Sequence, residues 1–409
     1  MNSIDKIEKS IKKIAQIVFE STIDATYGLL QGSGGSTLFL ASNYFLTKDE
    51  KYLDKSLELL ERNISSTSKV LFPNDFSIAF PAVSACWLID QFIKKNILDE
   101  SELTNSRIIV NHLIKSTLPD DLNLNRHDLF YGYIGKALII LENDIELSKV
   151  NIDPFISALK QNAKMDNLGL YWNTPYPFYK SHQYEDTINL GIPHGSLGII
   201  LFLLKVCSIY GRDIELEVII TKHIKWLIGM LKKNKNQLKH FYSVVPIGGG
   251  KLGWCYGDLA IAYTLLRHYE ELGDYESKAM AYELIEKSSL KSMEQAGVLY
   301  YSQYGYHDMG ICHGTTSIAY MYKKMFLITK DQQLQDLAHK WLGHTIESLD
   351  IYLPQINSIA EKEKTNPLID TSLGFLNGLS GVGLALISFI DPKLSDWDKL
   401  LLLDRPGRD

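Results

Sequence analysis

Near-continuous apolar stretches alternate with amphipathic ones along the whole chain. Residues Ile199 to Leu204 are all apolar, and a helix that is apolar on most sides is buried. In residues 275–287, the apolar side chains of Ala279, Ala281 and Leu284 stand among Glu, Lys and Ser, which suits a helix with one solvated face. Strand signals are sparse. The pattern therefore predicts an all-α protein in which buried helices alternate with amphipathic ones.

A Gly-x-x-Gly-like step, with small residues three positions apart, precedes the apolar stretches. It recurs at Gly32–Gly35, Pro81–Ser84, Gly132–Gly135, Gly195–Gly198, Gly257–Ala260, Gly314–Ser317 and Gly378–Gly381. The spacings of 49, 51, 63, 62, 57 and 64 residues leave room for two helices per repeat, and such a period indicates an array of supersecondary units. Neither end of the array carries an evident polar capping repeat. We therefore expect an α/α toroid, a double ring of seven inner and seven outer helices, formed by a single domain over residues 1–409.

Composition and charge narrow the class of protein without identifying it. The chain has 409 residues, of which 45% are hydrophobic and 22% charged, as in soluble globular proteins. The net charge of -6 argues against nucleic acid as a partner. No apolar run reaches the length of about 18 residues expected of a membrane span, and the first residues lack the apolar core of a signal peptide. Four cysteines do not make a disulfide framework, so we expect a cytoplasmic protein.

Alignment of the repeats brings the chemically distinctive residues into shared positions. Cys255 and Cys312 each lie two residues before the first small residue of adjacent repeats, and His194 and His313 each lie one residue before it. Two thiols and an imidazole are a known ligand set of catalytic zinc, with a fourth position left open. The alternative is that both cysteines are small core residues, as isolated cysteines often are. The shared position in adjacent repeats favours the zinc site.

Asp128 lies four residues before Gly132, at the same end of the third repeat. In a closed ring, the candidate residues of repeats three to six would lie side by side at one rim of the central cavity. The dipoles of the inner helices favour anions there by about 0.3–1 kcal/mol per charge. Asp is also a preferred residue at helix starts, so capping is the alternative role for Asp128.

Three motifs resemble the signatures of a known family. They are Pro193 to Gly198, Trp254 to Asp258 and Cys312 to Thr316. Weaker matches are residues 128–135 and Asn377 to Gly383. Over essentially the whole chain, these motifs resemble the lanthionine synthetase C (LanC-like) family, the cyclases of lanthipeptide biosynthesis.

The resemblance implies a seven-plus-seven helix toroid that binds one zinc ion. The zinc ligands would be the two cysteines and the histidine that follows the second of them: Cys255, Cys312 and His313. The acid/base residues would be His194 and Asp128, and Tyr256, beside the site, would be a further catalytic residue.

The implied reaction is an intramolecular Michael-type addition. A cysteine of a dehydrated precursor peptide attacks dehydroalanine or dehydrobutyrine, and a lanthionine or methyllanthionine ring forms. A free cysteine has a pKa of about 8.5, and coordination to zinc deprotonates a thiol. His194 would protonate the enolate at the α-carbon, and Asp128 would either orient His194 or accept the thiol proton.

The resemblance also implies partners and a location. The substrate would be a dehydrated precursor peptide with a leader segment. A lanthipeptide dehydratase and an exporter would be further partners, and such a complex would hold this cytoplasmic protein at the inner face of the membrane.

The sequence departs from the family pattern at a few positions. Lys251 stands where many members carry arginine; it keeps the charge but loses the bidentate fork, which leaves open whether it orients the substrate. Ala260 and Ser317 replace a second glycine, a change of packing. Residues 165–190, rich in Tyr, Pro and His, are expected to form a loop or small insertion.

Two other functions compete with cyclisation. The same metal chemistry would let a LanC-like protein add an external thiol, such as glutathione, to dehydrated side chains. The alternative of another class is an α/α-toroid glycosidase or a non-catalytic zinc scaffold. A glycosidase needs two facing carboxylates, and Asp128, Asp258 and Asp308 form no obvious pair in the sequence.

The remaining cysteines and histidines are expected to have structural roles. Cys86 and Cys207 lie in apolar segments and should be in the core. Asp308, just before the Cys312-His313 pair, should belong to a loop or support the site from behind. Histidines among charged residues at helical spacing should be solvated, namely His223, His268 and His339.

Overall fold

The computed structural model describes most of the chain. The described residues are 3–21, 28–30, 32–67, 81–99, 101, 116, 119–143, 145–173, 188–233, 244–245, 251–356, 359 and 373–408. Residues 174–187 of the expected loop at 165–190 lie outside these ranges.

Long helices make up most of the described chain. They are α1 (Ser3–Glu20), α2 (Ser33–Thr47), α3 (Glu50–Thr67), α4 (Pro81–Lys94), α5 (Tyr133–Asn143), α6 (Ile145–Gln161), α7 (Ser196–Tyr210), α8 (Ile214–Lys233), α9 (Asp258–Leu272), α10 (Tyr275–Ser289), α11 (Thr315–Thr329), α12 (Gln332–Tyr352) and α13 (Leu379–Ile390). Among the helices described, none is both long and apolar enough to cross a membrane.

A helix begins at or one residue after each of the seven predicted repeat starts: α2, α4, α5, α7, α9, α11 and α13. These helices are buried along most of their length, as the apolar pattern predicts; in α7, every residue from Ser196 to Cys207 is buried. The number of outer helices stays a prediction, because part of the chain lies outside the described ranges.

The amphipathic helices pack on the buried ones. α3 packs against α2, α6 against α5 and α10 against α9. In α10, the side chain of Asp274 accepts a hydrogen bond from the N–H of Glu276 and so caps the first turn. Met280 and Leu284 are buried in α10, whereas Tyr275 is 72% exposed. One apolar face thus covers the neighbouring helix and the other face is solvated.

Where the small residue is a glycine and the preceding loop is described, the loop folds back on itself at the helix start. A Cβ at Gly132 would lie 2.0 Å from the carbonyl oxygen of Arg126, and one at Gly257, where φ is 104°, would lie 1.8 Å from that of Lys251. Glycine is required by such an approach because any side chain would collide with backbone. The same six-residue relation recurs at Gly34 with Gly28, Gly195 with Asn189, Gly198 with Ile192, Gly314 with Asp308 and Gly381 with Phe375.

The chain forms two compact units. Unit 1 comprises Met1–Thr117, Leu299–Tyr320 and His339–Trp397, and unit 2 comprises Leu118–Val298, Met321–Ala338 and Asp398–Asp409. The single domain over residues 1–409 stays a prediction.

Backbone hydrogen bonds join the loops of successive repeats within each unit. In unit 1, Cys312 N donates to Leu376 O at 3.0 Å, and Leu376 N donates to Leu30 O at 3.0 Å. In unit 2, Leu129 N donates to Pro193 O at 2.9 Å and Ile192 N donates to Cys255 O at 3.1 Å. All four acceptors occupy the same position of the repeat, two residues before the first small residue, so the loops do align in the predicted register.

Within the described ranges, three two-stranded antiparallel sheets accompany the helices: β1 (Lys164–Met165) with β2 (Leu170–Tyr171), β3 (Ile188–Asn189) with β4 (Val244–Val245), and β5 (Tyr300–Tyr301) with β6 (Tyr306–His307). The hairpin of β5 and β6 pairs Tyr300 with His307 and leads directly into the loop that carries Cys312. Strands β1 to β3 flank or overlap the expected loop at 165–190.

Candidate functional site

The three predicted zinc ligands come together. Cys255 lies in the loop before α9, and Cys312 and His313 lie in the loop before α11. The two sulfur atoms and a ring nitrogen of His313 all lie within 4.8 Å of one another. Two soft thiolate ligands and an imidazole suit Zn²⁺ in a tetrahedral site with one position left for a thiol or water. The residues present therefore fit a zinc ion.

The loop before α9 holds Cys255 from two sides. The indole Nε1 of Trp254 donates a hydrogen bond to the carbonyl of Leu401 at 2.9 Å, and Trp254 is 1% exposed. The carbonyl of Cys255 accepts from Ile192 N. The neighbouring side chain and the backbone of Cys255 are therefore both fixed.

Asp128 and His194 form a hydrogen-bonded pair. The His194 Nδ1 atom lies 2.6 Å from Oδ2 of Asp128. The other oxygen, Oδ1, accepts hydrogen bonds from the N–H groups of Phe130 and Tyr131 at 2.7 and 2.9 Å. Asp128 thus caps a turn of its own loop, before the start of α5, and the other oxygen of the same carboxylate holds His194.

The environment of His194 favours its protonated form. Burial by itself would lower the pKa of the imidazole, but the negative charge of Asp128, the hydrogen bond to it and the nearby Cys255 thiolate raise that pKa above its ordinary value. The His194 side chain is nevertheless 24% exposed, whereas that of Asp128 is 3% exposed. An imidazole held at Nδ1 and partly open to solvent can deliver a proton from Nε2.

Aromatic side chains surround the His194 ring. Tyr131 stacks on it with ring centroids 6.0 Å apart and an interplanar angle of 12°, and Phe130 meets it edge-on at 5.9 Å. The ring of Tyr256 lies 6.4 Å from that of His194 and packs so closely on Gly191 that a Cβ there would lie 2.1 Å from a Tyr256 ring carbon. Tyr256 therefore does lie beside the predicted acid/base residue.

The contacts of Phe130 and Tyr131 with His194 were not predicted from the sequence. A signal was present at Tyr131, which lies one residue before Gly132 and so shares the repeat position of His194 and His313.

Asp308 approaches His313 closely. Its Oδ2 atom lies 3.3 Å from Nε2 of His313, and the Asp308 side chain is 9% exposed. Oδ1 of Asp308 accepts from the N–H of Gly310 at 2.8 Å. The contact fits the expectation that Asp308 supports the site or belongs to a loop.

Lys251 belongs to the backbone of the Cys255 loop. Its carbonyl accepts from Asp258 N at 3.3 Å, and its aliphatic stem packs against Gly297, where a Cβ would lie 2.5 Å from Cγ of Lys251. Whether its ammonium group orients a substrate stays a prediction.

Two histidines expected to be solvated are buried. His223 and His268 are 0% and 1% exposed. Nδ1 of His223 lies 3.0 Å from the carbonyl of Leu170, and burial lowers the pKa of His223 to about 4. The prediction was wrong because charged neighbours in the sequence do not determine exposure: Lys222 beside His223 is exposed, whereas Arg267 beside His268 is itself buried. His339 is exposed, as predicted.

Cys86 and Cys207 lie in the core, as predicted, with exposures of 8% and 6%. Burial raises the pKa of the Cys86 thiol to about 12 and that of Cys207 to about 11. Both are therefore protonated at neutral pH, which disfavours metal binding by either residue.

Residues 24–402 match the family model described as lanthionine synthetase C-like protein, the family that the three motifs resemble. No curated protein sequence matches the chain.

Two solved structures illustrate the fold. Nisin cyclase is 19% identical, with a TM-score of 0.66 over 97% of this chain and 96% of that chain. This likeness confirms the predicted all-α, α/α-toroid fold class. The unsaturated glucuronyl hydrolase from Bacillus sp. GL1 is 13% identical, with a TM-score of 0.42 over 95% of this chain and 97% of that chain, a likeness too weak to bear on function.

Proposed function

Because the chain belongs to the lanthionine synthetase C-like family, we propose that it is a zinc-dependent lanthipeptide cyclase. It would close thioether rings by adding a peptide cysteine to a dehydroalanine or dehydrobutyrine of the same peptide. The observation that carries the proposal is the convergence of the Cys255, Cys312 and His313 ligand atoms within 4.8 Å, with an Asp128–His194 pair held close to Cys255.

The ligand set suits activation of a thiol. Zinc bound there would lower the pKa of an incoming cysteine so that it reacts as the thiolate. Cys255 and Cys312 as thiolates would hold the divalent ion and balance its charge, so that an incoming thiol would keep its electron density and remain a nucleophile.

His194 supplies the proton that completes the addition. As the sulfur–β-carbon bond forms, the electron pair of the double bond moves towards the α-carbon and its carbonyl. The Nε2–H of His194, whose Nδ1 is held by Asp128, then protonates the α-carbon. The proton that the peptide thiol releases restores the one that His194 gives to the α-carbon, so the reaction is balanced without a redox partner.

The aromatic groups around His194 keep the imidazole in place during this transfer. Tyr131 covers one face of the ring and Phe130 meets it edge-on. Tyr131 is itself 40% exposed, so it is available to contact a peptide that approaches His194.

The partners and location follow from the proposed reaction. The substrate is a precursor peptide with a leader, already dehydrated by a separate dehydratase. An exporter would remove the finished product, and assembly with it would hold the protein at the inner face of the cytoplasmic membrane.

The proposal is tested with a synthetic peptide that contains one dehydroalanine and one cysteine. Cyclisation does not change the mass, so free thiols are counted by alkylation and mass spectrometry. The zinc-loaded wild-type protein should leave far less alkylated peptide than the peptide incubated alone, and Cys312→Ala should leave as much as that control.

Glutathione added to a second reaction separates the competing function. A glutathione adduct in place of the ring would favour the external-thiol reaction. The absence of both products would exclude thioether formation on this peptide by either route.

A further inference from the structure

We propose that Asp308 is a positioning residue that fixes which nitrogen of His313 faces the metal. With zinc bound, Asp308 would accept a hydrogen bond from Nε2–H, the nitrogen that it already approaches to 3.3 Å, and Nδ1 would be left as the ligand atom. The inference rests on the zinc site of the proposed function, which it deepens.

Asp308 contacts His313 with one carboxylate oxygen, and its other polar groups bond to the backbone. Its Oδ2 lies 3.3 Å from Nε2 of His313, while Oδ1 accepts from Gly310 N at 2.8 Å. Both of its backbone groups are bonded as well: Asp308 N donates to Leu299 O and Asp308 O accepts from Thr315 N, at 2.8 and 2.9 Å. The carboxylate is therefore fixed at the base of the loop that carries Cys312 and His313.

The chemistry of the two groups determines the tautomer. An ionised carboxylate only accepts hydrogen bonds, and a neutral imidazole carries its proton on one nitrogen and a lone pair on the other. A carboxylate at Nε2 therefore favours the Nε2–H tautomer, which leaves the lone pair on Nδ1. Carboxylates behind metal-bound histidines orient the ring and raise its basicity, and their loss lowers metal affinity by about 10- to 100-fold.

The second histidine of the site is held in the opposite sense. Asp128 bonds Nδ1 of His194 and leaves Nε2 outward, whereas Asp308 lies against Nε2 of His313. Each buried aspartate thus selects the nitrogen that its histidine presents, one for proton transfer and the other for metal.

Asp308→Asn is the sharpest variant. Asparagine keeps the oxygen that accepts from Gly310 N but presents an NH₂ group to Nε2, which favours the wrong tautomer. We expect zinc to dissociate about 10- to 100-fold more readily, as measured by competition with a chromogenic chelator. The visible absorption of the cobalt-loaded variant should change as well. Asp128→Asn is the matched control, because it makes the same substitution in the other buried pair and should leave zinc affinity unchanged.

The outcomes are distinguishable. If wild-type protein binds no zinc, the proposed function fails and this inference with it. If wild type binds zinc and Asp308→Asn binds it equally well, or if both variants lose it to the same extent, the inference alone is overturned.

A measurement on wild-type protein covers the case in which the variant does not fold. In protein labelled with ¹⁵N-histidine and loaded with ¹¹³Cd, the cadmium should couple to Nδ1 of His313. Coupling to Nε2 would overturn the inference.

Discussion

At the scale of residues, a buried aspartate lies behind each histidine on which the site depends. Asp128 and Asp308 both accept backbone N–H groups of their own loops with one oxygen and face a histidine with the other. Each aspartate therefore stabilises its own loop, and the same carboxylate is placed to orient the histidine. Folding of the loop and chemistry of the site are coupled in a single residue.

His194→Asn should separate proton transfer from metal binding. Asparagine keeps similar bulk and a hydrogen-bonding group but has no titratable nitrogen. Because His194 is not among the proposed ligands, the variant should keep its zinc and its fold. Its cyclisation rate should fall by about 10²- to 10⁴-fold, the usual contribution of an acid/base residue, in the thiol-alkylation assay. Loss of zinc would mean that a ligand has been misassigned. An unchanged rate would mean that a group other than His194 protonates the α-carbon.

Asp128→Asn should move the pH dependence of the reaction. The Asp128 charge raises the pKa of His194, so removing that charge lowers it. The protonated form of His194 is then lost at lower pH, and the decline in single-turnover rate on the alkaline side should begin at lower pH than in wild type. A decline that stays in place, or shifts to higher pH, would contradict the assigned role of the pair.

At the scale of elements, the described turns into the buried helices determine where the candidate site residues lie. The residues before the helix fold over a glycine, and the position two residues before the first small residue supplies the bonded carbonyls of Leu30, Pro193, Cys255 and Leu376. Cys255 and Cys312 are thus placed by a backbone arrangement that recurs in repeats without any chemistry. The repeat is a structural unit in its own right, and the proposed ligands occupy two of its positions.

Gly132→Ala should destabilise the protein by about 1–3 kcal/mol, the usual cost of forcing extra volume into a packed position. The added Cβ would lie 2.0 Å from the carbonyl oxygen of Arg126, which is backbone and cannot rotate away. Gly343→Ala in α12 is the matched control, because nothing lies within 4 Å of its added Cβ. That control should be stabilising by about 0.5–1 kcal/mol. Equal effects of the two substitutions in chemical denaturation would exclude the close approach as the cause.

The positions of the buried helices could largely be predicted from the sequence. The apolar stretches and the small-residue steps locate the starts of the buried helices to within one residue. The resemblance to the LanC-like family is confirmed by the family match. Small residues meet different neighbours, however: Gly383 lies against the ring of Phe39 in another helix, whereas Gly132 and Gly257 approach their own loops. The repeat shows that a position requires a small residue, but it does not show which neighbouring atoms that residue contacts.

The details of the site were harder to predict for a physical reason. The sequence indicates that Asp128 and His194 share one end of their helices, but hydrogen bonding depends on side-chain torsions that no spacing determines. Capping and catalysis were alternative predictions for Asp128 because the sequence does not show that its two carboxylate oxygens have different partners. The burial of His223 was missed because charged neighbours along a helix do not reveal which face is covered.

At the scale of the whole molecule, the C-terminal residues complete the core of unit 2. Arg267 donates to the carbonyl of Asp404 at 2.6 Å, and Lys205 forms ion pairs with Glu142 and Asp404 at 2.5 Å. Lys324 pairs with Asp398 at 3.0 Å, and both side chains are 2% exposed. Charges buried in this way are tolerated because each has a partner of opposite sign.

The Lys324–Asp398 pair gives a stability prediction at this scale. Lys324→Met leaves the Asp398 charge buried without its cation, and we expect a cost of about 3–5 kcal/mol in the free energy of unfolding. The double variant Lys324→Met/Asp398→Leu should recover a large part of that loss, because it removes both charges. If the double variant is as unstable as the sum of the two single variants, the pair is not coupled and the assignment fails.

We propose that Cys255, Cys312 and His313 hold a zinc ion that accepts a peptide thiol. X-ray absorption at the zinc edge measures the ligands of that ion. Purified wild-type protein should contain one zinc per chain with two sulfur ligands at about 2.3 Å. Addition of a cysteine-containing peptide should raise the number of sulfur ligands to three. If the protein contains no zinc, or if the peptide leaves the number of sulfur ligands unchanged, the proposed zinc-dependent activation of the thiol is wrong.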